Sequence, residues 1–141
     1  MQVDKIEIGT VVDHIAAGRA SKVMRLLDIV DNYPHRVAVM LNVPSKAMGT
    51  KDILKIEGKV VSRETANTLA LVSPKATINI IRGGAVVEKY SVEMPKEIVG
   101  FGRCPNPSCI SAESGERRFR ADSGSFRCHY CERLFRAEEL V

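Results

Sequence analysis

Residues 104–131 read CPNPSCISAESGERRFRADSGSFRCHYC. Cys104 and Cys109 form a C-x4-C pair, Cys128 and Cys131 form a C-x2-C pair, and eighteen residues separate the two. Two short knuckles joined by a longer loop bring four thiolates to the corners of a tetrahedron, the geometry that Zn2+ accepts readily. The chain has 4 cysteines, and all of them fit one site. The rival reading is a pair of disulfides in a secreted module. Against it, residues 1–18 are charged and lack the apolar core of a signal peptide. A Cys128–Cys131 disulfide would also close an unusually tight loop. With four protein sulfurs as ligands, no position is left for water or substrate. The expected zinc is therefore structural, and a metal-catalysed reaction is disfavoured.

Around this ribbon lies a chain of 141 residues, 45% hydrophobic and 27% charged, which is enough for one ordinary core and a small satellite module. No apolar run approaches the ~20 residues of a membrane span. Reduced, metal-bound cysteines and the absence of a signal point to the cytoplasm. The net charge is +4, and its location matters, because a basic zinc ribbon invites a nucleic-acid reading. Residues 1–95 carry 13 Lys+Arg against 10 Asp+Glu, and residues 96–141 carry 8 against 7. Four zinc-bound thiolates add a net −2, which leaves the metallated tail near neutrality. Arg117, Arg118 and Arg120 form a local positive loop between the cysteine pairs.

Working towards the N-terminus, residues 91–102 contain Pro95, Gly100 and Gly102 and lose periodicity, so the domain junction is placed there. The expected domains are 1–94 and 95–141. The second is too small for a sufficient core of its own, and Phe119, Phe126, Tyr130 and Phe135 are its expected apolar content. In the first, Val3, Ile6 and Ile8 alternate with polar residues and continue to Val11 and Val12, so a strand is read over residues 1–12 with its end near Gly9. Residues 18–27 place Ala20, Val23, Met24 and Leu27 at helical spacing. Residues 36–43 and 51–57 are β-rich around a loop at 44–49. Ser62 is a good N-cap for a helix over 63–71, stopped by Ser73-Pro74. Residues 77–81 and 85–90 form a hairpin across Arg82-Gly83-Gly84. The order is β-α-β-β-α-β plus one strand. The expected fold class is α+β: a ferredoxin-like antiparallel sheet with two helices on one face, followed by a small β zinc ribbon. The other sheet face or an edge stays open for a ligand or partner.

Little in the first domain suggests catalysis. Asp13 and His14 adjoin, but neighbours in sequence need not form a catalytic pair. His35 follows Pro34 in a turn, and His129 is read as knuckle surface. Residues 44–51, PSKAMGTK, lack the phosphate-loop pattern and join two strands. Lys51 and Lys55 share a strand face about 13 Å apart, and the last hairpin can bring Lys89 beside them. Three lysines on one sheet surface can hold a triphosphate; a solvated, mildly basic face is the alternative.

Five stretches now carry a resemblance: GTVVDHI from Gly9, LNVPSKAMGTKDILKIEG from Leu41, LALVSPKATINII from Leu69, CPNPSCIS from Cys104 and CHYCE from Cys128. In this order, and over nearly the full length, the chain resembles the regulatory chains of aspartate carbamoyltransferase. The resemblance implies a non-catalytic subunit of a pyrimidine-biosynthesis enzyme. Its N-terminal domain would bind CTP as inhibitor and ATP as activator, with UTP alongside CTP. Its zinc domain, with one Zn2+ on Cys104, Cys109, Cys128 and Cys131, would dock on the catalytic chain. Regulatory homodimers would link catalytic trimers into a dodecamer of six catalytic and six regulatory chains.

By the same resemblance the nucleotide site comprises Ile6, Asp13, His14, Lys51, Lys55, Asn79, Ile81, Val86 and Lys89. Lys89 and His14 would face the phosphates, Lys55 the ribose and base, and the Ile6 backbone the base edge. Gly84 stands where a bulkier ring-contacting residue can occur in the family, and an N-terminal arm adding nucleotide contacts is expected to be short. Rival functions are a zinc-ribbon nucleic-acid binder, which the near-neutral metallated tail disfavours, a free-standing metabolite sensor, and a zinc enzyme, which the all-cysteine site disfavours. Neither nucleic acid nor membrane is an expected partner.

Overall fold

The computed structural model describes residues 6–141. The chain divides into two compact units, the first ending at Glu93 and the second spanning Met94–Val141.

The first unit is built on β1 (Gly9–Ala16), α1 (Ala20–Leu26), β2 (Val37–Ser45), β3 (Gly49–Glu57), α2 (Arg63–Thr68), β4 (Thr77–Arg82) and β5 (Ala85–Ser91). The sheet order is β2-β3-β1-β4-β5, antiparallel throughout. Its first four strands have the ferredoxin-like arrangement, and β5 is the added strand. The period-two pattern decides which face is covered. Val12, Ile15, Leu54, Ile56, Ile78 and Ile80 are buried on one face, and Ala20, Val23 and Leu27 from the α1 region and Ala66 and Leu69 from the α2 region complete that core. The residues between them, Val11, Asp13, Lys51, Lys55, Asn79 and Ile81, are only half-buried and form the open face.

Local chemistry explains the boundaries. The Ser62 hydroxyl caps α2 by accepting the Thr65 N–H at 3.1 Å. The helix then tightens into a 3-10 turn at Leu69–Leu71 ahead of Ser73-Pro74, as the stop signal implies. Gly83 and Gly84 both have positive φ, 59° and 74°, which suits a two-residue hairpin turn. Strands β2 and β3 run further into the expected 44–49 loop than their composition suggests. Pro44 is accommodated because β2 is an edge strand, where a missing N–H costs no ladder bond.

One expectation is overturned. The first strand does not end near Gly9; it begins there. Val3 lies outside the described residues, and Ile6 and Ile8 precede β1. A Cβ on Gly9 would lie 2.1 Å from the Ile56 carbonyl oxygen, so this glycine permits close strand pairing where it was read as punctuation. Further along, the register with β3 slips between Val12 and Ile15, and His14 has φ 55°. This β-bulge breaks the alternation that would have announced the strand.

The second unit is a four-stranded antiparallel sheet in the order β6 (Glu97–Val99), β7 (Arg118–Asp122), β8 (Ser125–Cys128), β9 (Leu134–Phe135), with short helices α3 (Ser111–Ser114) and α4 (Ala137–Leu140). Phe119 and Phe126 are buried, joined by Ile98 and Leu140. Strand β6 falls in the stretch read as the domain junction, because three residues are too few to show a period. Among the described residues no helix is long and apolar enough to cross a membrane.

Candidate metal centre and ligand face

The four cysteine sulfurs of the second unit lie within 4.8 Å of one another. Cys104 and Cys131 Sγ are 3.7 Å apart, and Cys109 and Cys128 Sγ are 3.8 Å apart. A tetrahedron with metal–sulfur bonds of about 2.3 Å has edges of roughly 3.8 Å, so these two edges already match, and closing the rest of the set on Zn2+ needs shifts of no more than about 1 Å. Cys104 and Cys109 come from the loop before α3. Cys128 ends β8, and the turn that follows closes through Glu132 N–H to Cys128 O at 2.9 Å and Cys128 N–H to Arg133 O at 3.0 Å. Packed together, the four thiols do not hold their protons equally. Burial pushes Cys104 up to about 12. Burial also opposes ionisation of Cys131, but the Arg133 N–H and the Asn106 side chain bring it down to about 7. A dication shared by all four would replace these protons.

The first unit presents a different site. The strand register sets Ala38, Lys55, Val11, Asn79 and Lys89 side by side across all five strands. Lys55 and Lys89 are three strand spacings apart, about 14 Å. A single phosphate does not span that gap, whereas an extended anion laid across the strands does. Towards the β4–β5 turn the next row is apolar, with Ile81 paired to both Gly9 and Val86. Ile6, which is buried, lies close beside Gly9. Towards the other end the row is polar, with Asp13 opposite Thr77.

At that polar end the groups are already organised. Lys51 Nζ lies 3.0 Å from Asp13 Oδ1. The same carboxylate oxygen accepts the His14 N–H at 2.6 Å. His14 Nδ1 is 2.9 Å from Thr77 Oγ1. Partial burial of Asp13 disfavours its charge, but the Lys51 bond and the His14 N–H outweigh it and hold the carboxyl below the ordinary carboxylate range.

Asp13, His14, Lys51, Lys55, Asn79, Ile81, Val86 and Lys89 thus all lie on one face, with Ile6 at its apolar margin. Thr77 and Val11 stand among them and were passed over in the sequence. Thr77 was findable, since it alternates with Asn79 and must share its face. His129 and His35 are exposed, as read; His35 packs edge-on against Tyr33, with ring centroids 5.8 Å apart.

The sequence model of the aspartate carbamoyltransferase regulatory chain, allosteric domain, matches residues 1–93, and that of its metal binding domain matches residues 96–141. The aspartate carbamoyltransferase regulatory chain of Methanopyrus kandleri is 46% identical over 146 residues, covering 99% of this chain and 93% of that one. That of Thermococcus gammatolerans is 44% identical over 145 residues, covering 100% and 96%. With both domains matched in order along the chain, it belongs to the family of aspartate carbamoyltransferase regulatory chains, the non-catalytic subunits of that enzyme.

Proposed function

We propose that this regulatory chain binds nucleoside triphosphates on the open face of its first unit. CTP would act as inhibitor and ATP as activator, with UTP alongside CTP, in feedback control of cytoplasmic pyrimidine biosynthesis. The observation that carries this reading is the row from Lys55 to Lys89, apolar on one side and lined by Asp13, His14 and Lys51 on the other. Such a face matches a ligand with a flat base at one end and a chain of charges. Lys89 and His14 take the phosphates, Lys55 the ribose and base, and Ile81 and Val86 the apolar flank.

The second unit holds one structural Zn2+ and docks on a catalytic chain, with residues 106–113 and the arginines Arg117, Arg118 and Arg120 as the contact surface. Arg117 directly precedes β7, and Arg118 and Arg120 lie within that strand, not in the loop expected from the sequence. The homodimer forms through an edge of the first sheet. Edge strand β2, where Val39 and Leu41 are 40% and 60% exposed, supports that pairing. Six such chains and six catalytic chains make the dodecamer. An effector controls it by binding two quaternary states unequally, and by no more than that difference in affinity.

Calorimetric titration of the zinc-loaded chain with CTP and then ATP tests the nucleotide reading. Competitive, saturable binding is expected, weakened about tenfold or more by Lys89→Ala through loss of a charge-assisted bond. Heat changes without saturation for either nucleotide would remove the effector site from this face.

A further inference from the structure

The bulge that turns Asp13 and His14 to the open face needs a retaining group, because a non-glycine residue at φ 55° is held only when its surroundings fix it. Ser73 supplies that group. It is fully buried, behind β1 in the loop between the 3-10 turn and β4. Its Oγ accepts the Ala16 N–H at 2.9 Å and donates to the His14 carbonyl at 3.4 Å. One hydroxyl therefore grips the strand on both sides of Ile15. Ser73 is itself fixed: its N–H donates to Leu69 O at 2.8 Å, and its carbonyl accepts the Ala76 N–H at 3.1 Å. The Ala76 carbonyl in turn accepts the Val92 N–H at 3.1 Å, one residue before the end of the first unit. Thr77, four residues on, holds the imidazole of His14 from the same loop-to-strand segment.

We propose that Ser73 is a positioning residue of the ligand face: its hydroxyl fixes the β1 bulge in the conformation that presents Asp13 and His14 to a bound nucleotide, without itself touching the ligand. This rests on the reading of the face as a nucleotide site. Asp13 and His14 depend on the clamp, whereas Lys89, on β5, does not.

A double-mutant cycle on the full zinc-loaded chain, with CTP as probe and circular dichroism to verify folding, separates positioning from general stabilisation. Ser73→Ala is expected to weaken CTP binding about tenfold. Added to His14→Ala, it should weaken binding further by clearly less than about tenfold, since only the Asp13 contact is left to lose; added to Lys89→Ala, the two losses should multiply. Wild-type affinity in Ser73→Ala, or losses that multiply with His14→Ala as they do with Lys89→Ala, would overturn the proposal and leave the nucleotide reading standing. A folded wild-type chain that binds no CTP would overturn both. Should Ser73→Ala not fold, amide exchange on the wild-type chain decides: CTP is expected to slow exchange at Ala16 several-fold, and an unchanged rate there in the saturated chain would overturn the clamp.

Discussion

Lys51 Nζ reaches Asp13 Oδ1 at 3.0 Å across the point where β1 bulges out of its ladder with β3. Both side chains are mostly shielded, with 16% and 25% exposed, so the pair is less screened than a surface ion pair. Asp13 is held below the ordinary carboxylate range, against the effect of burial, by Lys51 and by the His14 N–H. A carboxyl whose folded value is depressed contributes stability above its unfolded value of about 4 and loses it as pH falls through the folded value. Asp13→Asn should therefore lower stability at neutral pH by about 1 kcal/mol. Urea denaturation over a pH series checks this. The gap between wild type and variant should close below pH ~4, and a gap that stays constant into acid would exclude the pair as its source.

Asp52 faces the core side of the same strand and is fully buried. Its two oxygens accept the Gly18 N–H and the Asn42 N–H, each at 3.0 Å, tying the β1–α1 loop to the second bulge, in β2. Removing the carboxylate leaves both donors short of an acceptor. Asp52→Ala should cost about 2–4 kcal/mol, and Asp52→Asn roughly half of that because one acceptor remains. Equal urea midpoints for wild type and Asp52→Ala would mean that water satisfies both amides.

The bulges in β1 and β2 also mark where the sequence could and could not be read. The cysteine spacing announces the ribbon because a metal needs ligands at fixed intervals. Regular alternation announces β3 and β4, where KDILKIE and TINII each bury every second residue. Alternation fails in β1, because Asp13-His14 inserts an extra residue and its retaining hydroxyl, Ser73, lies 59 positions away from His14. No local pattern encodes a contact of that separation. The clustering of the three lysines was legible only in part. The spacing of Lys51 and Lys55 gives their shared face, but the pairing of Asn79 with Lys89 had to be set by the hairpin register. Ser73 read as a helix stop, and that role hid the other.

Gly9 offers a sharper test of register. An added methyl would sit 2.1 Å from the Ile56 carbonyl oxygen and 3.0 Å from Ile6 Cγ2. The first neighbour is backbone in the middle of the sheet and has little room to yield. Gly9→Ala should destabilise the first unit by about 2–4 kcal/mol, well beyond any gain from restricting the unfolded chain. Thermal unfolding monitored by circular dichroism measures it. A neutral or stabilising effect would show that β1 and β3 separate at this end without penalty.

The cysteine cluster predicts how the chain responds to losing its metal. The second unit buries little beyond Ile98, Phe119, Phe126 and Leu140, whereas a structural zinc site contributes about 10–16 kcal/mol of apparent binding free energy. Chelation should therefore unfold residues 94–141 and spare the first unit, since all four clustered cysteines lie in the second. In amide NMR spectra of the full chain, signals from β6 to β9 should collapse while those from β1 to β5 persist. Proton release gives a second check. Freed by unfolding, the four thiols return to their ordinary value of about 8.5, carry their protons at neutral pH and must shed them on binding. Zinc uptake near pH 7 should release about four protons per metal and weaken steeply in acid. Calorimetry in two buffers of different ionisation enthalpy counts them. A release near zero would mean that the thiols are already ionised, and a second unit that keeps its dispersed signals under chelation would show that its small apolar core suffices alone.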